Sequence, residues 1–376
     1  MPQYLILLSL TTLQNLIQYK QELQSNSMKP GHYLKKNLDL LLQKGIDIKN
    51  TTVEQFLQLL LSTKKTICFA ESEVVGDGSD WNYSELKILG EISIAMATEV
   101  YDNGVWGIYE KTFRTHEPPI SATLVFTPGP LLYGYNFRGT TPDLDDIYER
   151  GQIDQNKYTK LIERRLLPVL LYINESAKTQ GKKAIVVLPG IGCGAFAGNF
   201  KGSMGEFLNK ALQTILEEFG IHFKNIVCVR FDPFDECTDF ERIIQGVKYR
   251  VRRNIGPMGK SQLCCVTDYE ETEGEFTDCT FYKVVAWDHV SLPGNDYFKG
   301  SRNTDDGVTG AATNSMELIT NVKGRYVNGY YLPPEGYRTW EGVAKKHKTK
   351  LTADGNVKVA THNGILVDLK DISENK

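Results

Sequence analysis

Two stretches of this chain carry residue types whose spacing could do chemistry. The first reads Leu188-Pro189-Gly190-Ile191-Gly192-Cys193-Gly194-Ala195-Phe196-Ala197-Gly198. Glycines stand at 190, 192, 194 and 198, after a fully apolar run and before a helical pattern. Without Cβ atoms, backbone N–H groups can approach an anion closely, and a helix N-terminus behind them adds a favourable dipole. That is the layout of a phosphate cradle at the carboxyl end of a strand. It is not a P-loop, because no Lys-Ser/Thr follows in register, and its spacing and depth in the chain do not fit a dinucleotide fingerprint. A Gly-rich turn that only packs tightly would use the same residues.

The second stretch begins with Val284-Val285-Ala286-Trp287-Asp288-His289. It continues through Pro293-Gly294-Asn295-Asp296 and then from Asn303 to Ala312. An apolar strand ends in Asp288, carboxylates come after it at Asp296, Asp305 and Asp306, and Gly307-Val308-Thr309-Gly310-Ala311-Ala312 opens a helix. Carboxylates off a strand end suit ribose hydroxyls, a cationic leaving group or general-base work. They also suit ordinary turns and N-caps. As loop residues, Asp296 and Asp306 are expected to cost about 1 kcal/mol or less of stability when removed. The spacing of a calcium-binding loop is absent. His289 adjoins Asp288 without a Ser or Cys partner in the pattern, which argues against a nucleophilic triad.

Elements must position these stretches. Runs at 122–126, 184–188, 225–229, 263–266 and 283–287 predict short buried strands, and periodicity predicts helices over 157–178 and 206–219. Alternating strands and helices argue a largely parallel sheet covered on both faces. Residues 4–61 read as Leu-rich helices, and 85–98 as another helix. The expected division is a helical extension over 1–64, an α/β domain over 65–343 and a tail over 344–376, the tail a small hairpin or partly disordered. Tyr133, Tyr135 and Phe137 after a Pro-Gly-Pro turn, and Phe231 to Asp235 after a strand, are further ligand-side candidates or simply packed aromatics. Glu270, Glu271, Glu273 and Glu275 read as a solvated acidic loop. Tyr249-Arg250-Val251-Arg252-Arg253 reads as a solvated basic face.

Composition narrows the class. With 376 residues, 41% hydrophobic and 24% charged, the chain is an ordinary globular protein of about two domains, or one with additions. A net charge of −3 gives no reason to expect duplex nucleic acid or an anionic membrane as the main partner. The 7 cysteines (Cys68, Cys193, Cys228, Cys237, Cys264, Cys265 and Cys279) form no CxxC pair, so no zinc site or disulfide framework is expected. A reducing, cytoplasmic setting fits. The apolar run at 4–10 lacks a basic flank and is too short to span a bilayer. A tail signal for a specialised bacterial secretion system, with action in a host cytosol, is the alternative.

Together the two stretches resemble a family. Gly192 to Gly198 is similar to the diphosphate loop of poly(ADP-ribose) glycohydrolases, GCGAFGG. The run from Val284 through Asn295, with Asp306-Gly307-Val308-Thr309-Gly310-Ala311-Ala312, resembles the macrodomain strand-Asn and Gly-Val-x-Gly-Ala signature. The resemblance extends over roughly 65–340 and is nearest to bacterial macrodomain effectors that look like ADP-ribosyl-arginine hydrolases. The Gln-Glu-Glu of poly(ADP-ribose) glycohydrolases is absent, so cleavage of the polymer is not implied. The phosphate loop precedes the acidic loop, and a permuted connection of the same sandwich would account for that order.

The resemblance implies a three-layer α/β/α macrodomain-like sandwich with an N-terminal helical addition. It also implies removal of mono-ADP-ribose from protein arginine without a cofactor or metal, with ADP-ribosylated ubiquitin as the candidate substrate. Three acidic positions of that group fall on Asp288, Asp296 and Asp306, which would be the catalytic residues. Gly190, Gly192, Cys193, Gly194, Ala195, Phe196, Asn295, Asp305, Gly307 and Val308 would hold ADP-ribose. A macrodomain that binds ADP-ribose without cleaving it, or an effector module that binds a partner, stays open beside it.

Overall fold

The five residues Leu5–Ser9 form a strand, β1, where a helix is expected. Ile6 and Leu8 point to one side and Leu7 to the other, each fully buried, so both faces of this run are apolar. A run buried on both faces cannot be told from a helix by periodicity. Ser9 then caps α1 (Leu10–Gln24) by accepting the Thr12 N–H. The computed structural model describes residues 2–66, 80–107, 112–133, 141–253 and 263–373. Cys68 and the aromatics Tyr135 and Phe137 lie outside the described residues.

Two helices come next, α2 (His32–Gln43) and α3 (Val53–Leu61), the latter with a Thr52/Gln55 capping box. Helix α4 (Tyr83–Leu89) carries a second box, Asn82/Glu85, and stops at Gly90. The helix expected over 85–98 is therefore corrected: from Ser93 the chain is β2 (Ser93–Gly107). Burial alternates there, with Met96, Thr98 and Val100 buried and Ala97 and Glu99 exposed, which is the period of a strand.

Beyond it lie β3 (Thr112–Pro128) and α5 (Pro142–Ile147), then the two-residue β4 (Tyr148–Glu149) and β5 (Gln152–Ile153). Helix α6 (Gln155–Thr179), β6 (Lys183–Pro189), α7 (Met204–Phe219) and β7 (Ile226–Asp232) match the sequence reading closely. They lead into β8 (Phe240–Ile244), β9 (Val247–Val251) and β10 (Cys279–Trp287). The strand expected over 263–266 is absent. Leu263 and Cys264 are buried, but the chain turns into a 3-10 helix, Val266–Tyr269, and β10 already has β3 and β6 as neighbours. The chain ends with α8 (Asp305–Ala312), α9 (Ser315–Thr320), the hairpin β11 (Arg325–Val327) and β12 (Tyr330–Leu332), and α10 (Trp340–Lys346). A second hairpin, β13 (Val357–Ala360) and β14 (Leu366–Asp368), precedes α11 (Leu369–Ser373).

Among the described residues the large sheet has ten strands in the order β14-β13-β1-β2-β3-β10-β6-β7-β9-β8. Strands β3, β10, β6, β7 and β9 are parallel neighbours; β2, β8 and β14 run against them. Strand β1 pairs parallel with β13, so the two ends of the chain meet inside this sheet, and the division at 64 and 344 cuts across it. Alternate residues of single strands feed two separate cores. Val125, Val186 and Leu188 pack under α6 and α7, while Leu124, Phe126, Ile185 and Val187 pack with α1, α3, α8 and α10. The fold is a three-layer α/β/α sandwich of macrodomain type. Among the described residues no helix is long and apolar enough to cross a membrane.

Candidate active site

Four parallel neighbours, β3, β10, β6 and β7, end along one edge of the sheet. Their last residues are Pro128, Trp287, Pro189 and Asp232. Gly129, Asp288, Gly190 and Phe234 come at once or nearly so after these ends, and all four line one pocket of about 310 Å³. Carboxyl ends of parallel strands are where open α/β sheets place ligands.

The glycine-rich loop forms one wall, through Gly190, Gly192, Gly194, Ala195 and Phe196. Its glycines do different work. Gly192 has φ +75°, and a Cβ there would lie 2.6 Å from Pro130 Cδ. Gly129 approaches so closely that its own Cβ would lie 2.5 Å from the Gly192 nitrogen. These two glycines let the ends of β3 and β6 touch backbone to backbone. Gly194 is different: a Cβ there meets nothing within 4 Å, because it faces open space. The loop closes its own bonds from Ile191 to Pro189, Cys193 to Gly190 and Ala197 to Gly194. Gly194 and Ala195, at the start of the 3-10 turn Ala195–Phe200, donate to no backbone acceptor among the described residues. Such leading N–H groups are orphans that an anion can satisfy. Gly192→Ala is expected to cost about 2 kcal/mol through the left-handed φ and the clash with Pro130. A melting temperature equal to that of the native protein would remove that role.

The acidic stretch lines the same pocket. Asp288 is buried, and its Oδ1 accepts the N–H groups of Val290 at 2.9 Å and Ser291 at 2.7 Å. Its Oδ2 accepts the side-chain amide of Asn295. Asp306, equally buried, accepts the N–H of Gly294 at 2.8 Å and of Asn295 at 2.7 Å. Asn295 is thus gripped from both sides, and Asp288, Asn295 and Asp306 all line the pocket. Burial pushes the carboxyls of Asp288 and Asp306 up, opposed in both by these N–H donors. A carboxylate offers about four lone-pair sites. Asp288 also takes the Ser291 hydroxyl and so uses about all of its own, whereas Asp306, with two donors, keeps acceptor capacity toward the pocket. Asp305 also lines it, tied to the buried Lys283 ammonium at 2.8 Å and to the Ala286 N–H at 2.8 Å.

The other candidates fall elsewhere. Asp296 does not line the pocket; its carboxylate accepts the N–H of Asn303 at 3.1 Å and the Ser301 hydroxyl at 3.3 Å. Asn303 does line it, so Asp296 supports the wall from behind. The Cys193 side chain is buried in the core under α6 and α7, and burial pushes its thiol far up. Gly307 is needed for packing, since a Cβ there would lie 2.9 Å from Asp296 Cβ. Val308 lines an adjoining lobe of about 340 Å³ with Val105, Leu263 and Arg302. The two lobes share Gly190, Phe234, Ala286, Asn303, Thr304 and Asp305, which makes one continuous cleft. Gly129, Thr304 and, in the adjoining lobe, Val105, Leu263 and Arg302 were not among the expected site residues. The one signal for Gly129 is its place directly after an apolar strand, whereas nothing local marks Arg302 or Leu263.

The charged runs are also corrected. Arg250 is only 2% exposed and bonds Glu241 at 2.6 Å and Glu275 at 2.8 Å, while Arg252 bonds Glu271. Arg250 and Glu275 are thus drawn out of solvent by each other, while Glu271 and Glu273 stay exposed as a solvated loop would. His289 is buried, which drives its imidazole down to about 3 and keeps it neutral.

No curated protein matches the chain significantly. The family model of the macrodomain effector MavL matches residues 4–337, which takes in β1 and the N-terminal helices as well as the cleft. With the three-layer sandwich and the strand-end cleft already in view, that match places the chain in the macrodomain effector MavL family.

Proposed function

We propose that the cleft binds ADP-ribose and that the protein removes mono-ADP-ribose from protein arginine, with ubiquitin as the candidate carrier. Macrodomain membership suggests ADP-ribose binding or hydrolysis. The carrying observation is that Gly194 and Ala195, whose N–H groups donate to no backbone acceptor among the described residues, and the Asp288–Asn295–Asp306 cluster line one pocket. The N–H groups would take the diphosphate. The apolar lobe of Val105, Leu263 and Val308, with Phe234 at its mouth, suits the adenine. Asn295 and the carboxylates would then meet the distal ribose and the arginine.

The bond to be cut joins the ribose anomeric carbon to a guanidinium nitrogen. Its cleavage passes through an oxocarbenium-like state: the C–N bond breaks with its electron pair going to the guanidine, water adds to the anomeric carbon, and the proton that the water gives up ends on the guanidine, which departs as guanidinium. A carboxylate at Asp288 or Asp306 would stabilise that cation and orient the water. The competing reading is a binder without turnover. It is favoured by one observation: Asp288 and Asp306 already accept five N–H groups between them. Incubation with arginine-linked and serine-linked ADP-ribosyl proteins decides. Release from arginine alone supports hydrolysis as proposed, release from serine alone overturns the arginine assignment, and binding with no release supports the binder.

Turnover is expected to persist in EDTA. The carboxylates are held by N–H donors, and the guanidinium needs less Lewis-acid help to leave than an alkoxide would. Loss of activity in chelator, restored by magnesium, would require the aspartates to be reread as metal ligands.

A further inference from the structure

The segment after α3 is bound directly to the acidic loop. The Lys65 N–H donates to Val290 at 2.8 Å and the Leu292 N–H donates back to Lys65 at 2.6 Å, a short parallel bridge. Just before it, the Lys64 side chain is buried, at 7% exposure. Its ammonium donates to the carbonyl of His289 and sits 4.3 Å from the centre of the Trp287 ring. Trp287 and Asp288 line the pocket, so Lys64 packs directly behind two residues of its wall. A buried lysine is held charged only at a cost, which a nearby carboxylate offsets.

We infer that Lys64 is a positioning residue of the active site, holding the 287–291 turn in place and supplying the positive charge that Asp288 faces. The inference rests on the hydrolytic reading above. The charged groups around Asp288 are few. Lys64 comes from the segment after α3 and Asp306 from α8, with Asp305 beside it; His289 next door is neutral, and beyond it lie Asp143 and its partner Arg165. Burial disfavours ionised Asp288, and the Ser291 hydroxyl and N–H oppose that effect. Lys64 is the cation that adds to that opposition. Without it, Asp288 takes up a proton at higher pH. Activity that needs the carboxylate then fails earlier as pH falls.

The test compares native protein, Lys64→Gln, Lys64→Arg and, as a control, Lys65→Gln, on an arginine-linked ADP-ribosyl protein. Rates are followed from about pH 5 to about pH 9, with melting measured on each variant. Lys64→Gln keeps a donor for His289 but loses the charge. It is expected to leave KM within about twofold, lower kcat roughly tenfold near pH 6, and move the acid limb up by about one unit. Lys64→Arg restores the charge and should recover the native limb. Lys65→Gln, which keeps the backbone bridge, should leave the limb in place. A native limb in folded Lys64→Gln, or equal impairment of the Gln and Arg variants, overturns the inference. Should Lys64→Gln fail to fold, a shifted limb in Lys64→Arg overturns it alone. Absence of turnover in the native protein sinks the hydrolytic reading itself, a different result from a silent Lys64.

Discussion

Gly194→Glu is expected to abolish ADP-ribose binding while leaving the fold unchanged. A Cβ at this position meets nothing within 4 Å, so the new side chain enters open space. It projects into the pocket wall where the diphosphate would lie. Two charge-assisted N–H bonds at about 1.5–3 kcal/mol each are lost, and a carboxylate is placed against the phosphates. Each 1.4 kcal/mol is tenfold, so affinity should fall by roughly 100-fold or more. Calorimetry showing native affinity in a variant with native melting would take the loop out of the site. The contrast with Gly192 is useful. There the glycine serves the turn and the contact with Pro130, so its substitution should lower stability, not affinity alone.

Asp306→Ala should lose turnover by about 100-fold or more, as expected for a group acting on the reacting atoms. Its effect on stability is larger than a loop aspartate would suggest. The carboxylate is 2% exposed and accepts two buried N–H groups, those of Gly294 and Asn295. Leaving each without a partner costs about 1–3 kcal/mol, so the variant should melt clearly lower. The figure of about 1 kcal/mol or less for a polar loop is thereby corrected. Turnover must be measured below the variant's own melting temperature. A folded Asp306→Ala with native turnover would defeat the assignment. Asp296→Ala is expected to be milder in stability, since among the described residues it releases the Asn303 N–H at 3.1 Å and the Ser301 hydroxyl at 3.3 Å. It should still lower turnover by loosening the wall that Asn303 forms.

Much of the frame was legible along the chain. The strands at 184–188 and 225–229 stand where their short apolar runs place them, buried on both faces, and the helices at 157–178 and 206–219 stand where periodicity places them, each burying one continuous apolar face. The two chemical stretches were legible for a similar reason. Glycines in a strand-end loop and aspartates after an apolar run are local requirements of backbone approach and of charge. The family resemblance came from those same residues, and the match over 4–337 extends it to the N-terminal helices.

What failed was whatever depends on a partner distant in sequence. Residues 5–9 could be helix or strand until β2 and β13 were there to pair with them. Arg250 and Glu275 are ordinary solvated charges until folding brings them within 2.8 Å and buries the guanidinium. Asp296 and Asp306 are alike in sequence. Only the packing of α8 against the 293–297 turn, with Gly307 and Gly310 allowing close approach, puts one in the wall and the other behind it. Sequence by itself determined which residue types could bind an anion and work on a glycosidic bond, since backbone freedom and side-chain charge are properties of the residues. Tertiary structure alone decided which of them share a pocket and which carboxylates are already held by N–H donors. It also decided that Lys64 stands behind Asp288, because burial and distance are properties of the assembled sheet and not of the chain.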